Sequence, residues 1–188
     1  MGVTRVTLAV ALAMIAALGV AQSAAASGPW QELQRPLKLP HVPTGETCPV
    51  SSVDQRVDWE SVNIFAGVGI GRGPVYPGLG SQGNFSVDDP FLGMFEGKLF
   101  WYADPSYGGR ALIRGRRLDG SGSVRFPKRG KLKPELRFGP DDTVQWNGRP
   151  PGGRGLPTST AVPTSGCYGA QIDGTSFSRT VIFTASTP

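Results

Sequence analysis

The chain is expected to fold as an all-β domain, an immunoglobulin-like β-sandwich of about seven strands, and three observations predict it. Its 27 glycines and 17 prolines fall between short apolar runs rather than in one repeat, as turns do in a strand-rich domain. Within those runs apolar and polar residues alternate with a period of two. No amphipathic helical run is long enough to cover a sheet. A small β-barrel is the alternative that the same pattern allows.

Residues 1–26 read as a secretory leader. Arg5 supplies a short positive start, an apolar run extends from Val6 to Val20, and Ala24, Ala25 and Ala26 precede Ser27, which predicts cleavage after Ala26. The run falls short of the ~20 apolar residues that cross a bilayer. No transmembrane segment is therefore expected after cleavage, and the expected location is secreted or periplasmic. What remains, roughly 160 residues, suits one domain with an ordinary core. It divides into a proline-rich extended arm at 27–43, with Pro29, Pro36, Pro40 and Pro43, and a single sandwich domain at 44–188.

Both cysteines, Cys48 and Cys167, lie in the exported part and are far apart, so a structural bridge is expected rather than a redox pair of the C-x-x-C kind. It would tie the first strand to nearly the last.

After the arm, Val62, Ile64, Ala66 and Val68 alternate with Asn63, Phe65 and Gly67 and predict a strand. The glycines and prolines from Gly69 to Pro77 predict a long turn region. They do not match a phosphate loop, because G-x-G-x-x-G is broken at Arg72 and at Pro74. The organising stretch is 97–126. It predicts a β-meander of three strands: an aromatic one ending at Asp104-Pro105, a second from Ala111 to Leu118 ending at Asp119-Gly120, and a third around Val124 and Phe126. In the second, Ala111, Ile113 and Gly115 share a face, and Leu112, Arg114 and Arg116 point the other way. A bulge at Gly115 would turn Arg117 outward and Leu118 in.

Leu136 and Phe138 predict another short strand, and so do Val144 and Trp146. The stretch 147–165 is rich in Gly, Pro and Thr and predicts a long loop with an extended piece near Ala161-Val162. A closing hairpin is expected to turn around Asp173-Gly174. An odd register sum sets Tyr168, Ala170 and Ile172 against Phe177, Val181 and Phe183 but turns Cys167 to the other face, so the register stays open.

The segments Gly73-Pro74-Val75-Tyr76-Pro77, Lys98-Leu99-Phe100-Trp101, Arg114-Gly115-Arg116-Arg117-Leu118-Asp119-Gly120 and Gly166-Cys167-Tyr168, with Asp173-Gly174-Thr175-Ser176-Phe177-Ser178, together resemble a group of uncharacterised secreted bacterial proteins. The resemblance spans most of the chain from Cys48 onward. It implies an exported β-rich domain of unknown function and transfers no catalytic residue.

Catalytic chemistry has few places to reside. His41 is the only histidine and sits among prolines, no G-x-S-x-G elbow accompanies it, and one His with two bridged cysteines starves a zinc site. No cofactor or metal is expected. Carboxylates remain, in the clusters Asp54, Asp58 and Glu60; Asp88 and Asp89; and Asp141 and Asp142. Paired acids could hydrolyse glycosides or hold calcium, although Asp next to Pro is also what turns require. Two readings of different class follow. The first is a non-catalytic module that binds or braces something in the envelope or outside the cell, with Trp101, Tyr102, Tyr107 and Tyr76 as candidate contacts. The second is a glycosidase-like hydrolase on the acidic clusters.

Charge sharpens the first reading. The whole chain is +5, yet residues 110–137 alone carry ten basic and two acidic side chains, a local +8. The candidate polyanion-binding residues are Arg110, Arg114, Arg116, Arg117, Arg125, Lys128, Arg129, Lys131 and Lys133, with Arg114, Arg116 and Arg125 expected along one solvent face. An exported protein without a recognisable nucleic-acid motif is expected to meet anionic envelope polymer or lipid headgroups rather than nucleic acid. Glu substitutions at Arg114, Arg116 and Lys131 would then weaken binding and leave stability intact.

Overall fold

A computed structural model describes residues 2, 28–62, 67–80, 82–142, 144 and 151–188. The proposed leader thus lies outside the described residues apart from Gly2, as do most of the strand predicted at Val62 to Val68 and the Trp146 end of another. Among the described residues no helix is long and apolar enough to cross a membrane.

The fold is an all-β sandwich. One sheet has the order β1 (Val68–Gly69), β2 (Val75–Leu79), β5 (Met94–Ala103), β10 (Arg154–Val162), with β4 (Asp89–Phe91) also on β5. The other has the order β3 (Asn84–Ser86), β12 (Ser178–Ser186), β11 (Gly166–Gly174), β6 (Ala111–Arg117), β9 (Leu136–Phe138). A separate two-stranded ribbon joins β7 (Phe126–Lys128) to β8 (Lys131–Lys133). Among the described residues the strands are twelve rather than about seven because several are only two or three residues long, below what alternation can reveal.

The main core lies between the sheets. Leu99 and Trp101 of β5, Ala111 and Ile113 of β6, Tyr168, Ala170 and Ile172 of β11, and Val181 and Phe183 of β12 meet there, each set spaced by two as strand geometry demands. The outer faces are not left to solvent. The arm lies over the β6–β11 face, where Leu39 and Val42 pack with Leu118 and Cys167. The chain then crosses at Ser51, whose N–H donates to the Ile182 carbonyl. On the outer face of the first sheet, Val57, Trp59 and Val62 pack on Tyr76, Phe100 and Tyr102. With both faces covered, Phe100, Trp101 and Tyr102 are all buried, so β5 reads as a continuous apolar run.

Four local expectations are corrected. Trp59–Val62 form one helical turn (α1) instead of entering a strand, because Asp58 caps it: its carboxylate accepts the Ser61 N–H at 3.2 Å and the Ser61 hydroxyl at 2.5 Å. The predicted turn region contains β2. Pro77 is tolerated there because β1 pairs only Gly78 and Leu79, leaving an open edge beside it. The meander is divided between the sheets: seven residues separate β5 from β6, enough to cross the core where a two-residue turn would have kept them paired. Gly115 carries no bulge, since the β6–β11 register runs unbroken from Tyr168↔Arg117 to Gly174↔Ala111. A Cβ at Gly115 would lie 2.7 Å from the Gly169 carbonyl oxygen and 2.8 Å from a Val124 methyl; close approach is its reason.

The closing hairpin adopts the odd register, with Tyr168↔Phe183, Ala170↔Val181 and Ile172↔Arg179. Its turn falls on Thr175-Ser176, two residues beyond the predicted site, because Asp173 is drawn into the sheet. Cys167 does face away from the main core, and this is what brings it to Cys48: the two are bonded, with Cα atoms 5.4 Å apart.

Candidate functional site

The positively charged stretch divides into two populations. On the outer face of β6, Arg114 donates to the Asp173 carboxylate at 2.7 Å and to the Arg35 carbonyl. Asp173 is fully buried and also accepts from Gln171 at 3.0 Å and Ser178 at 2.6 Å. Gln171 in turn donates to the Pro36 carbonyl at 3.1 Å and accepts the Lys38 N–H at 2.7 Å. Arg116 donates to the Leu39 carbonyl at 2.8 Å. These groups pin the arm to the sheet. Arg117 turns back on Asp119 at 2.6 Å; that bond holds the Asp119 carboxyl below its usual range and raises Arg117. Three of the nine candidate cations are therefore engaged within the fold, and of the expected solvent-facing row Arg114 and Arg125 are partly buried while Arg116 is exposed.

The second population lies elsewhere. Ser123 bridges to Arg116 and Arg125 bridges to Ala161, so the chain leaves the β6 sheet, touches the β10 edge and projects as the β7–β8 ribbon. Arg129 and Gly130 form its turn, both at positive φ (51° and 71°). The register Phe126↔Lys133, Lys128↔Lys131 puts Lys128, Lys131 and Lys133 on one ribbon face with Phe126, because i and i+2 share a face and paired residues lie side by side. Phe126 is buried in the main core and anchors the ribbon. Arg110 is exposed on the chain leading into β6, apart from this group.

Beneath the ribbon is a groove of about 980 Å³ between the β10 edge of one sheet and the β9 edge of the other. Lys128, Arg129, Lys131 and Lys133 line it on the ribbon side, and Leu156, Pro157, Thr158 and Ser159 on the β10 side. The acids that reach it are engaged. Glu135 pairs with Arg137 at 2.7 Å and accepts from Gln34 at 3.1 Å, while Asp142 accepts the Gly139 N–H at 2.7 Å. Arg137 also lies over the Trp30 ring, 5.5 Å from its centre. Among the described residues none of Lys128, Arg129, Lys131 and Lys133 is in an ion pair. Lys128 directly opposite Lys131 is a destabilising arrangement on a sheet, and nothing structural offsets it.

Arg154 anchors β10 two residues before Leu156. Its guanidinium donates to the carbonyls of Gly139 at 2.5 Å, Gly109 at 2.9 Å and Tyr107 at 3.0 Å, and lies 5.0 Å from the Phe138 ring centre. Burial lowers its pKa, opposed by Tyr107 and the nearby Asp142 and Asp141. The sequence signal for β10 is weak, since Gly155, Pro157 and the Ser/Thr run resemble a loop.

The other candidate residues sit in structural roles. Trp101, Tyr102, Tyr107 and Tyr76 are all buried, which removes them as contacts for a partner. Burial, with the charge of Asp104, pushes the Tyr102 hydroxyl up to about 12. Asp54 accepts Arg56 at 2.6 Å and 2.8 Å and the Tyr76 hydroxyl at 3.0 Å; Arg56 in particular holds the Asp54 carboxyl at about 2. Asp58 caps α1, Asp89 is in β4 and Asp142 closes a turn. His41 is exposed on the arm. No protein-family model, curated protein or solved structure matches the chain.

Proposed function

We propose that the protein is an exported, non-catalytic β-sandwich module whose groove under the β7–β8 ribbon binds an anionic polymer of the cell envelope or extracellular space. One observation carries the reading: three lysines share one face of a short ribbon, two of them directly opposite each other, and among the described residues none of them is in an ion pair. Like charges so placed lower stability, and an anionic ligand relieves the repulsion. The composition of residues 1–26 and the resemblance to exported bacterial proteins support the address. The hydrolase reading has less behind it, because Asp54, Asp58 and Asp142 each already hold a neighbouring donor.

Retention of the mature chain on an immobilised polyanion, polyphosphate, tests this. Binding should weaken at least about tenfold between ~0.01 M and ~0.15 M salt, as the screening length falls from roughly 30 Å to 8 Å. Lys128→Glu, Lys131→Glu and Lys133→Glu together should abolish it. Retention indifferent to salt, or unchanged in the triple variant, rejects the reading.

A further inference from the structure

Beside the basic ribbon the groove is lined by Glu135, Arg137, Asp142, Thr158 and Ser159 and also by apolar side chains. Phe126 and Leu136 form its floor, and Leu156, Pro127, Pro134 and Pro157 expose carbon along its sides. Exposed carbon beside so many cations offers a ligand with a hydrocarbon part a contact that a wholly hydrophilic polymer leaves unused. Its volume, about 980 Å³, is at the top of the range of roughly 300–1,000 Å³ for small-molecule sites, which are mostly apolar with a few placed polar groups.

Resting on the reading of this groove as an anion site, we infer that it also takes a single-chain phosphate amphiphile: the hydrocarbon tail lies along Leu156 and Pro134, and the phosphate meets the lysines of the ribbon. Charge favours phosphate over carboxylate. Three lysines and Arg129 gather at one mouth, and a phosphate monoester brings about −1.5 to −2 charges near neutral pH where a carboxylate brings one. Addition of a partner strand to the β10 edge is disfavoured by Pro157, which has no N–H to offer.

Calorimetric titration of the full mature chain below the micellar range separates the possibilities. Dodecyl phosphate should bind one per chain, and octyl phosphate more weakly by roughly fourfold for each two carbons removed, as for a groove covering about half the chain. Dodecyl maltoside and dodecanoate should each bind at least tenfold more weakly than dodecyl phosphate. Leu156→Asn, which adds no charge to the groove, should remove the dependence on chain length. Because Leu156 is half-buried, Pro134→Ser, at an exposed position in the lining, provides an uncharged test without touching the core. If polyphosphate is retained but alkyl phosphates show no length dependence, the amphiphile inference is overturned and the anion site stands. Equal binding of dodecanoate overturns the phosphate assignment. Failure of polyphosphate and alkyl phosphates alike overturns both readings.

Discussion

Asp173 shows how one buried carboxylate can organise a face. It is fully buried and held by Arg114, Gln171 and Ser178, with Arg35 3.6 Å away. Removing one partner of a buried charge pair leaves the other uncompensated, at a cost of about 3–5 kcal/mol. Asp173→Ala should therefore lower unfolding free energy in urea by about 3 kcal/mol or more. Arg114→Glu should also be severe, because it sets two carboxylates together, which reverses the expectation that this change spares stability. Asp54 gives a pH signature. Its carboxyl is at about 2 in the folded protein against an ordinary 3.8, so its contribution is complete above about pH 4 and is lost as pH falls through 2. In acid titrations followed by circular dichroism, Asp54→Asn should flatten the loss of stability between pH 4 and 2 relative to the parent.

At the scale of elements, the arm and the ribbon are opposites. The arm's backbone is extended, yet Leu33, Leu39 and Val42 are buried, the Val42 N–H donates to the Leu118 carbonyl at 2.9 Å, and the Cys48–Cys167 bridge closes 119 residues of chain behind it. The Cys48→Ser, Cys167→Ser double variant should lose about 2–4 kcal/mol, read as a drop in melting temperature that reducing agent reproduces in the parent. The ribbon instead spends stability on its like-charged pair. Lys128→Glu converts Lys128↔Lys131 into an opposite-charge pair, and the exchange should raise stability by roughly 0.5 kcal/mol while weakening polyphosphate retention. A loss of stability in that variant would mean the lysines are structural.

For the whole molecule, the sandwich brings two sheet edges, β10 and β9, to the same side and roofs the gap with a segment that belongs to neither sheet. Arg154 ties the β10 end to the loops at Gly109 and Gly139. Arg154→Met removes the guanidinium donor from the Tyr107 and Gly109 carbonyls and leaves Gly139 only the Asp142 N–H at 3.3 Å; a buried acceptor left unsatisfied costs about 1–3 kcal/mol. We expect it to lower the melting temperature and to loosen the groove, seen as faster hydrogen exchange at 136–142 and 154–159 with 111–113 unchanged.

Much of this was legible in the chain itself. The all-β class, the inward set Ala111, Ile113, Tyr168, Ala170 and Ile172, and the pairing of the two cysteines all follow from period-two alternation and from local chemistry that needs no knowledge of neighbours. The cluster Lys128, Arg129, Lys131 and Lys133 was visible as charge. Its separation from Arg114, Arg116 and Arg117 was not, because charge density along a sequence carries no information on which cations meet a buried acid. Asp173 looked like a turn residue until Arg114, 59 positions away, was placed beside it. The groove was illegible for the same reason. Its walls come from β7, β8, β9 and β10, and β10 resembles a loop until β5 supplies its hydrogen bonds along nine residues. Alternation determined which side of each strand turns inward; only long-range pairing decided which strands share a sheet, which edges stay open, and where the unpaired cations gather.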